Sequence, residues 1–259
     1  MMKIPLQVRL KLLRQELYAL AGYKKNVRLR LREDAAGLSI QFEGRTHAIP
    51  DVLRWKLYRQ GWGKREHELK LAYGVGTQFN IAGGVVLDVG ANTGDFALSV
   101  ARDCAHVYCF EPDPKAAASL RRNIAGHTNI TLVPKVVWKA NEPVSFGLET
   151  SRADSSVFSQ AKERVKVPGV TLETFIKETG IDRVALVKCD AEGAEPEVLE
   201  GVLSAAARID GFAFDTGAER LGLSTDKECE KLLQGLGYKT FTTTDVGRHM
   251  TYGQIRCRD

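Results

Sequence analysis

Leu6, Leu10, Leu13, Leu17 and Leu20 recur at alternating spacings of four and three. That period predicts a helix over 6–20 with one leucine face. Arg9, Lys11 and Arg14 fall off the stripe, and Gly22 is a stop signal. Such a stripe is expected to pack against the rest of the chain or a second copy, making a homodimer. A basic amphipathic helix can also make a peripheral contact with an anionic membrane surface. Next, NVRLRLRED and GLSIQFEG alternate apolar and polar positions around turn material at Asp34 to Gly37, which predicts a hairpin. Segment 51–73 has helical patterning, interrupted at Gly61-Trp62-Gly63.

From residue 85 the pattern changes to short apolar runs alternating with helical ones. Strands are expected at 85–89, 106–110, 130–133, 184–189, 210–214 and 238–242, with a last one near 251–257. Helices are expected at 93–103, 114–125, 171–179, 195–206 and 225–236. Alternation of this kind builds βαβ units, a mostly parallel sheet and helices on both faces. Segment 135–168 breaks the rhythm: KVVW and PVSFGLE look like strands, and the polar stretch SRADSS comes after them. The expected organisation is a small α+β appendage over 1–80 and an α/β domain over 81–259.

Composition narrows the class. The chain has 259 residues, 44% hydrophobic and 27% charged, which fits none of the disordered, fibrous and membrane-spanning classes. No apolar run approaches the roughly 20 residues of a spanning helix. Five scattered cysteines (Cys104, Cys109, Cys189, Cys229, Cys257) form no C-x-x-C pair, so neither a zinc site nor a disulfide framework is expected. A reducing, cytoplasmic setting is the expectation. Residues 1–70 hold 16 Lys/Arg against 7 Asp/Glu, and residues 71–259 hold 21 against 25. A net of +9 in one part and −4 in the other suggests different jobs.

Ligands of open α/β sheets bind beyond the carboxyl ends of the strands. The first strand ends in LDVGANTGDF, so Asp88, Gly90, Ala91, Asn92, Gly94 and Asp95 form a candidate cofactor turn. Glycines there admit a ligand to the backbone, and the helix start offers free N–H groups. The dinucleotide fingerprint G-x-G-x-x-G needs glycine where Asn92 and Asp95 stand, and two aspartates oppose a pyrophosphate. A cationic ligand with an amino-acid end, such as S-adenosylmethionine, suits the turn better. Glu111, followed by Pro112, stands 23 residues past Asp88 after an apolar run, where an acid holds a ribose diol.

LDVGANTGDF, CFEPDP and LVKCDAEGAEPEVLEG, in that order and spacing, resemble the FkbM-type methyltransferases over roughly residues 60 to 215. The resemblance implies a Rossmann-like seven-stranded methyltransferase sheet, S-adenosylmethionine as donor and methylation of a hydroxyl oxygen. Acceptors implied are glycan or glycolipid sugars, or secondary metabolites. The chain departs from similar proteins at Val136, where they often carry a small residue.

DAEGAEPEVLEG places Asp190 at a strand end and Glu192 just beyond it; either is a candidate base. Glu195 and Glu197 fit the first turn of a helix, where acids are stabilised by the dipole. A hydroxyl must lose its proton as the oxygen attacks, and a positioned carboxylate accelerates this about 10²–10⁴-fold. Asp215, one strand over, could with Asp190 hold Mg²⁺ instead; whether a metal takes part stays open here. His47, His67, His106, His127 and His249 carry no spacing that ties them to the site, although His249 precedes the last strand. Ser155 and Ser156 are polar-loop residues that could close over a ligand. Two further readings are a nucleic-acid methyltransferase using the basic part and a non-catalytic binding scaffold. The first lacks an N-P-P-Y-type segment and a Pro-Cys pair. An intact Asp88, Glu111, Asp190 and Glu192 set argues against the second.

Overall fold

After one helix, the period-two alternation of apolar and polar residues in NVRLRLRED and GLSIQFEG sets the chain into sheet. The computed structural model describes residues 5–22, 26–149 and 155–255. Helix α1 runs Leu6–Leu20 behind Pro5. Strands β1 (Arg30–Asp34) and β2 (Gly37–Phe42) form the expected hairpin, and β3 (Arg45–Ala48) extends it into an antiparallel meander. The third strand lies outside the expected hairpin. Its turn is only Glu43-Gly44, both at positive φ (49° and 73°), which matches a tight two-residue hairpin. Val52–Tyr58 is a 3-10 helix capped by Asp51, and α2 covers Trp62–Ala72. Val8, Ile40, Phe42, Trp55 and Tyr58 share one apolar core in this region.

The rest keeps closely to the expected alternation. Strands β4 (Val85–Val89), β5 (His106–Phe110) and β6 (Ile130–Val133) enclose helices α3 (Asp95–Val100) and α4 (Pro114–Asn123). After them come β7 (Val136–Val137), β8 (Pro143–Gly147) and β9 (Arg164–Val170), a second small sheet in the order β7-β9-β8. Strand β9 is likewise absent from the sequence pattern: RVKVPGV contains Pro168, which demotes a strand reading. Next are α5 (Leu172–Glu178), β10 (Val184–Cys189), α6 (Glu195–Glu200) and a 3-10 turn at Leu203–Arg208. The expected helix over 195–206 is thus divided near Gly201, whose own Cβ position would lie 2.5 Å from the Trp138 carbonyl. The chain ends in β11 (Gly211–Asp215), α7 (Asp226–Gly235), β12 (Tyr238–Thr243) and β13 (Met250–Ile255). Cys257 lies outside the described residues.

The main sheet has seven strands in the order β12-β13-β11-β10-β4-β5-β6, with β13 antiparallel to both neighbours. It is a Rossmann-like α/β sheet. Side chains alternate across it: Val86 and Ala213 join the core shared with α2 and α3, whereas Leu87, Phe212 and Phe214 join the core shared with α5, α6 and α7. Helix α2 belongs to the sheet's packing, since Leu69, Ala72 and Tyr73 lie in the first of these cores. Tyr252 Oη seals the contact by donating to the Ala72 carbonyl at 2.6 Å.

Candidate active site

A cavity of about 350 Å³ opens at the carboxyl ends of β4, β5 and β10. Its floor is the turn after β4. Gly90, Asn92 and Gly94 all take positive φ (72°, 50° and 85°), which folds the chain back into α3. The amides of Gly90 and Ala91 donate to the Phe110 carbonyl at 3.1 and 3.0 Å, holding the turn onto β5. Gly90 has no alternative: a Cβ there would lie 1.9 Å from the Asp190 carbonyl oxygen.

Of the expected cofactor residues, Gly90, Ala91, Asn92, Asp95, Glu111, Pro112 and Asp190 line the cavity. Glu192 lines it as well, at φ 51°. Among the described residues Asn92 Oδ1 is buried without a donor, a place for a ligand N–H or O–H. Glu111 Oε2 accepts the Asn92 amide at 2.7 Å and Oε1 accepts the Asp113 amide at 2.8 Å. Burial pushes the Glu111 carboxyl up to about 7. Val136 lines the same wall, and Ser155, donating to Asp113 Oδ2 at 2.9 Å, lies at its edge. Ser156 is not in the lining.

Two of the expected residues stand outside the lining. Asp88 does not line the cavity: it is fully buried, with Lys188 Nζ 2.8 Å from Oδ1. Lys188 also donates to the carbonyls of Val89 (3.1 Å) and Gly90 (2.8 Å), so Asp88 reaches the site only through this lysine. Gly94 is not in the lining either, because Leu120 packs where its Cβ would be, at 2.4 Å. Asp95, although at the cavity edge, is already engaged. Tyr58 Oη (2.9 Å), Arg65 Nε (2.9 Å), Thr93 Oγ1 (3.0 Å) and His47 Nε2 (3.0 Å) surround its carboxylate. Burial opposes that charge, but Arg65 and His47 outweigh it and hold the carboxyl well below its usual range. Asp95 therefore fastens the β1–α2 region to the turn after β4.

Beyond β10 lies a second group of charges. Asp190 Oδ2 accepts from Tyr73 Oη at 2.9 Å and from Arg248 Nη1 at 2.8 Å. The same Nη1 reaches Asp215 Oδ2, so one guanidinium bridges two strand ends. Burial would raise Asp190, but Arg248 and Lys188 prevail and hold it at about 2. Glu219 faces the same trio, one oxygen of each of Asp190, Asp215 and Glu219 lying within 4.8 Å of the others. Burial first, then Asp190, Glu192 and Asp215, push Glu219 well above the usual carboxylate range. Glu195 is fully buried behind the loop: it accepts the amides of Ala191 and Gly193, both at 3.1 Å, and the Thr225 hydroxyl at 2.9 Å. It clamps the backbone that carries Asp190 and Glu192.

The FkbM methyltransferase domain model matches residues 88–239, more than half of the chain. The chain belongs to the FkbM methyltransferase family. A 2-O-methyltransferase of Sinorhizobium fredii, NoeI, is 28% identical over 137 residues, which are 45% of this chain and 56% of NoeI. The alignment thus spans a little over half of that relative's length. Solved structures of similar fold include fibrillarin from Aeropyrum pernix with bound S-adenosyl-L-methionine (TM-score 0.46, 12% identity, 87% of this chain and 82% of that one). Another is precorrin-6y C5,15-methyltransferase from Geobacter metallireducens (TM-score 0.44, 12% identity, 74% and 88%).

Sequence reasoning did not single out Tyr73, Lys188, Glu219 and Arg248, which line this cavity. Lys188 carried a signal, being the one charge inside the apolar run VALVKC. Arg248 and Tyr73 carried none, since 58 and 117 residues separate them from Asp190. In the 244–249 connection the sequence points to His249, but His249 Nε2 lies 3.2 Å from Asp226 and outside the cavity lining; its neighbour Arg248 turns in.

Proposed function

We propose that this methyltransferase moves the methyl group of S-adenosylmethionine to a hydroxyl oxygen of a sugar or secondary metabolite. The observation that carries the reading is one cavity holding both an adenosyl-type cradle, built from Glu111 and the Gly90–Asn92 turn, and a carboxylate cluster at the ends of β10 and β11. When bound, the donor supplies an electrophilic methyl carbon on a sulfonium. Glu111 is placed to accept two ribose hydroxyls, and Asn92 Oδ1 to accept an N–H of the donor. The 2-O specificity in NoeI's name supports oxygen as the acceptor atom.

Proton removal then falls to the carboxylates. Asp190, doubly hydrogen-bonded and held at about 2, is a weak base and serves as the fixed anion that orients the acceptor. Glu219 has one buried oxygen with no donor among the described residues, and its raised proton affinity keeps it protonated at neutral pH, so it receives the hydroxyl proton only after losing its own and turnover should rise with pH. Glu192 lines the same space and contributes negative charge near the sulfonium position. With Arg248 already between Asp190 and Asp215, this reading gives the cation's place there to the guanidinium, while Asp190, Asp215 and Glu219 are the residues that would hold Mg²⁺ if it took part.

Calorimetric titration with S-adenosylhomocysteine, with NAD as control, tests the donor. Micromolar heat with the first and none with the second is expected; no binding to S-adenosylhomocysteine would overturn the reading. Once an acceptor is found by screening, Asp190→Asn should lower kcat by about 100-fold or more with donor affinity within a few-fold. Glu219→Gln should lower kcat by about 10²–10⁴-fold and flatten its rise with pH. Wild-type turnover in Glu219→Gln would return the base role to Glu192 or Asp190.

A further inference from the structure

Helix α1 buries the face that its leucine pattern did not announce. Val8 and Gln15 are buried and Leu12 is half-buried. Gln15 Nε2 donates to the carbonyl of Arg59 at 3.0 Å and, more weakly, to that of Val27 at 3.4 Å, which pins this face to the body. With 3.6 residues per turn, Leu6, Leu10, Leu13, Leu17 and Leu20 fall within an arc of roughly 80° on the opposite side. Their exposures run from 55% to 72%. Five leucines in water along one line, on a helix whose other face is already satisfied, form a surface that needs a partner.

The charges say which partner. On the same helical projection Arg9 borders the stripe on one side and Arg14 on the other, with Lys11 beyond Arg14. All three are exposed, and the helix holds a single acid, half-buried Glu16. A second copy docked on this face would bring two like-charged rims together. A layer of anionic headgroups supplies countercharge to both rims and an apolar interior for the stripe between them. The excess of 16 basic over 7 acidic residues in 1–70 adds attraction at longer range. No described helix is long and apolar enough to cross a membrane. We propose that α1 lies in the plane of an anionic lipid surface, with the leucine stripe inserted and Arg9, Lys11 and Arg14 at headgroup level.

The test is flotation of the full chain with phosphatidylcholine vesicles, with and without phosphatidylglycerol, at low and high salt. Binding is expected only to the anionic vesicles and should weaken as salt rises. The triple change Leu10→Ser, Leu13→Ser, Leu17→Ser should abolish it. Arg9→Glu, Lys11→Glu and Arg14→Glu together should weaken it by about 100-fold or more. Because all six side chains are exposed, melting curves by circular dichroism should match the wild type and show that the variants fold. Failure to float with anionic vesicles overturns the proposal, as does undiminished flotation of either variant. Sedimentation equilibrium supplies the remaining arm: a wild-type dimer that the leucine variant converts to monomer would assign the stripe to a second copy and likewise overturn it.

Discussion

Glu111 is a buried acid whose oxygens each hold a backbone amide, and burial has raised its proton affinity to about 7. A ribose diol donating to the same oxygens favours the charged form. Donor binding should therefore expel a proton when it begins from the protonated acid. Affinity for S-adenosylhomocysteine should fall by about tenfold per unit as pH drops below about 7. Calorimetry in buffers of different ionisation enthalpy counts that proton directly. Glu111→Gln should bind about 10–100-fold more weakly, with a pH profile that has lost this step. A wild-type affinity that stays level from about pH 8 to about pH 5.5 would remove Glu111 from the ribose. At this scale the sequence is informative where chemistry sits on one strand-turn-helix unit. Gly90, Asn92, Glu111 and Asp190 are legible because each stands one to three residues beyond the end of an apolar strand run. Asp88 stands outside the lining for a physical reason: an acid one residue before a strand's end is as well placed to pair with a neighbouring strand's lysine as to meet a ligand, and here Lys188 takes it.

At the scale of elements, the junction of β4 and β10 governs whether the site exists. The two strands pair in parallel register from Leu87 with Val187 to Val89 with Cys189. Their chain ends then come so close that a methyl group at Gly90 would meet the Asp190 carbonyl at 1.9 Å. Gly90→Ala should cost about 3–5 kcal/mol in urea unfolding and eliminate S-adenosylhomocysteine binding, combining left-handed strain with a backbone collision. Gly180 offers the comparison, with φ 65° and nothing near its Cβ position. Gly180→Ala should cost only about 1 kcal/mol and spare binding. If both substitutions cost the same, the close approach of the strand ends contributes nothing. Period and punctuation reveal the seven main strands and most helices, because each buries a face with its own repeat. They do not reveal β3 or β9, one placed after a two-residue turn and the other containing Pro168. Nor does the leucine period say which face of α1 packs: that depends on Gln15 finding backbone partners 12 and 44 residues away.

For the whole molecule, the buried acids fall into two groups that oppose one another. Glu111 and Glu195 are each raised by burial from 4.5 to about 7. The folded protein holds these protons more tightly than the unfolded chain does. Stability is thus lower above about pH 7 and rises as pH falls toward 4.5, by on the order of 3 kcal/mol for each acid. Partly exposed His106, lowered by burial, opposes this weakly as it protonates. Asp95 and Asp190 are instead held below their ordinary 3.8, chiefly by Arg65 and Arg248 acting against burial. Their contribution is present above that value and is lost as pH falls through their depressed folded values. Together the two groups predict a melting temperature that climbs from pH 8 to a maximum near about pH 5 and collapses below about pH 4. Donor binding should reshape the curve from one side only. S-adenosylhomocysteine keeps Glu111 ionised, so saturating ligand should raise the melting temperature most at neutral pH and flatten the climb, leaving the acid collapse in place. Scanning fluorimetry across this range, with and without ligand and on Glu195→Gln, separates the contributions: the substitution should remove part of the slope that ligand does not touch. A curve that falls steadily from pH 8 downward would mean that neither glutamate is protonated in the folded protein, and the assignment of Glu111 as a proton-releasing donor contact would fall with it.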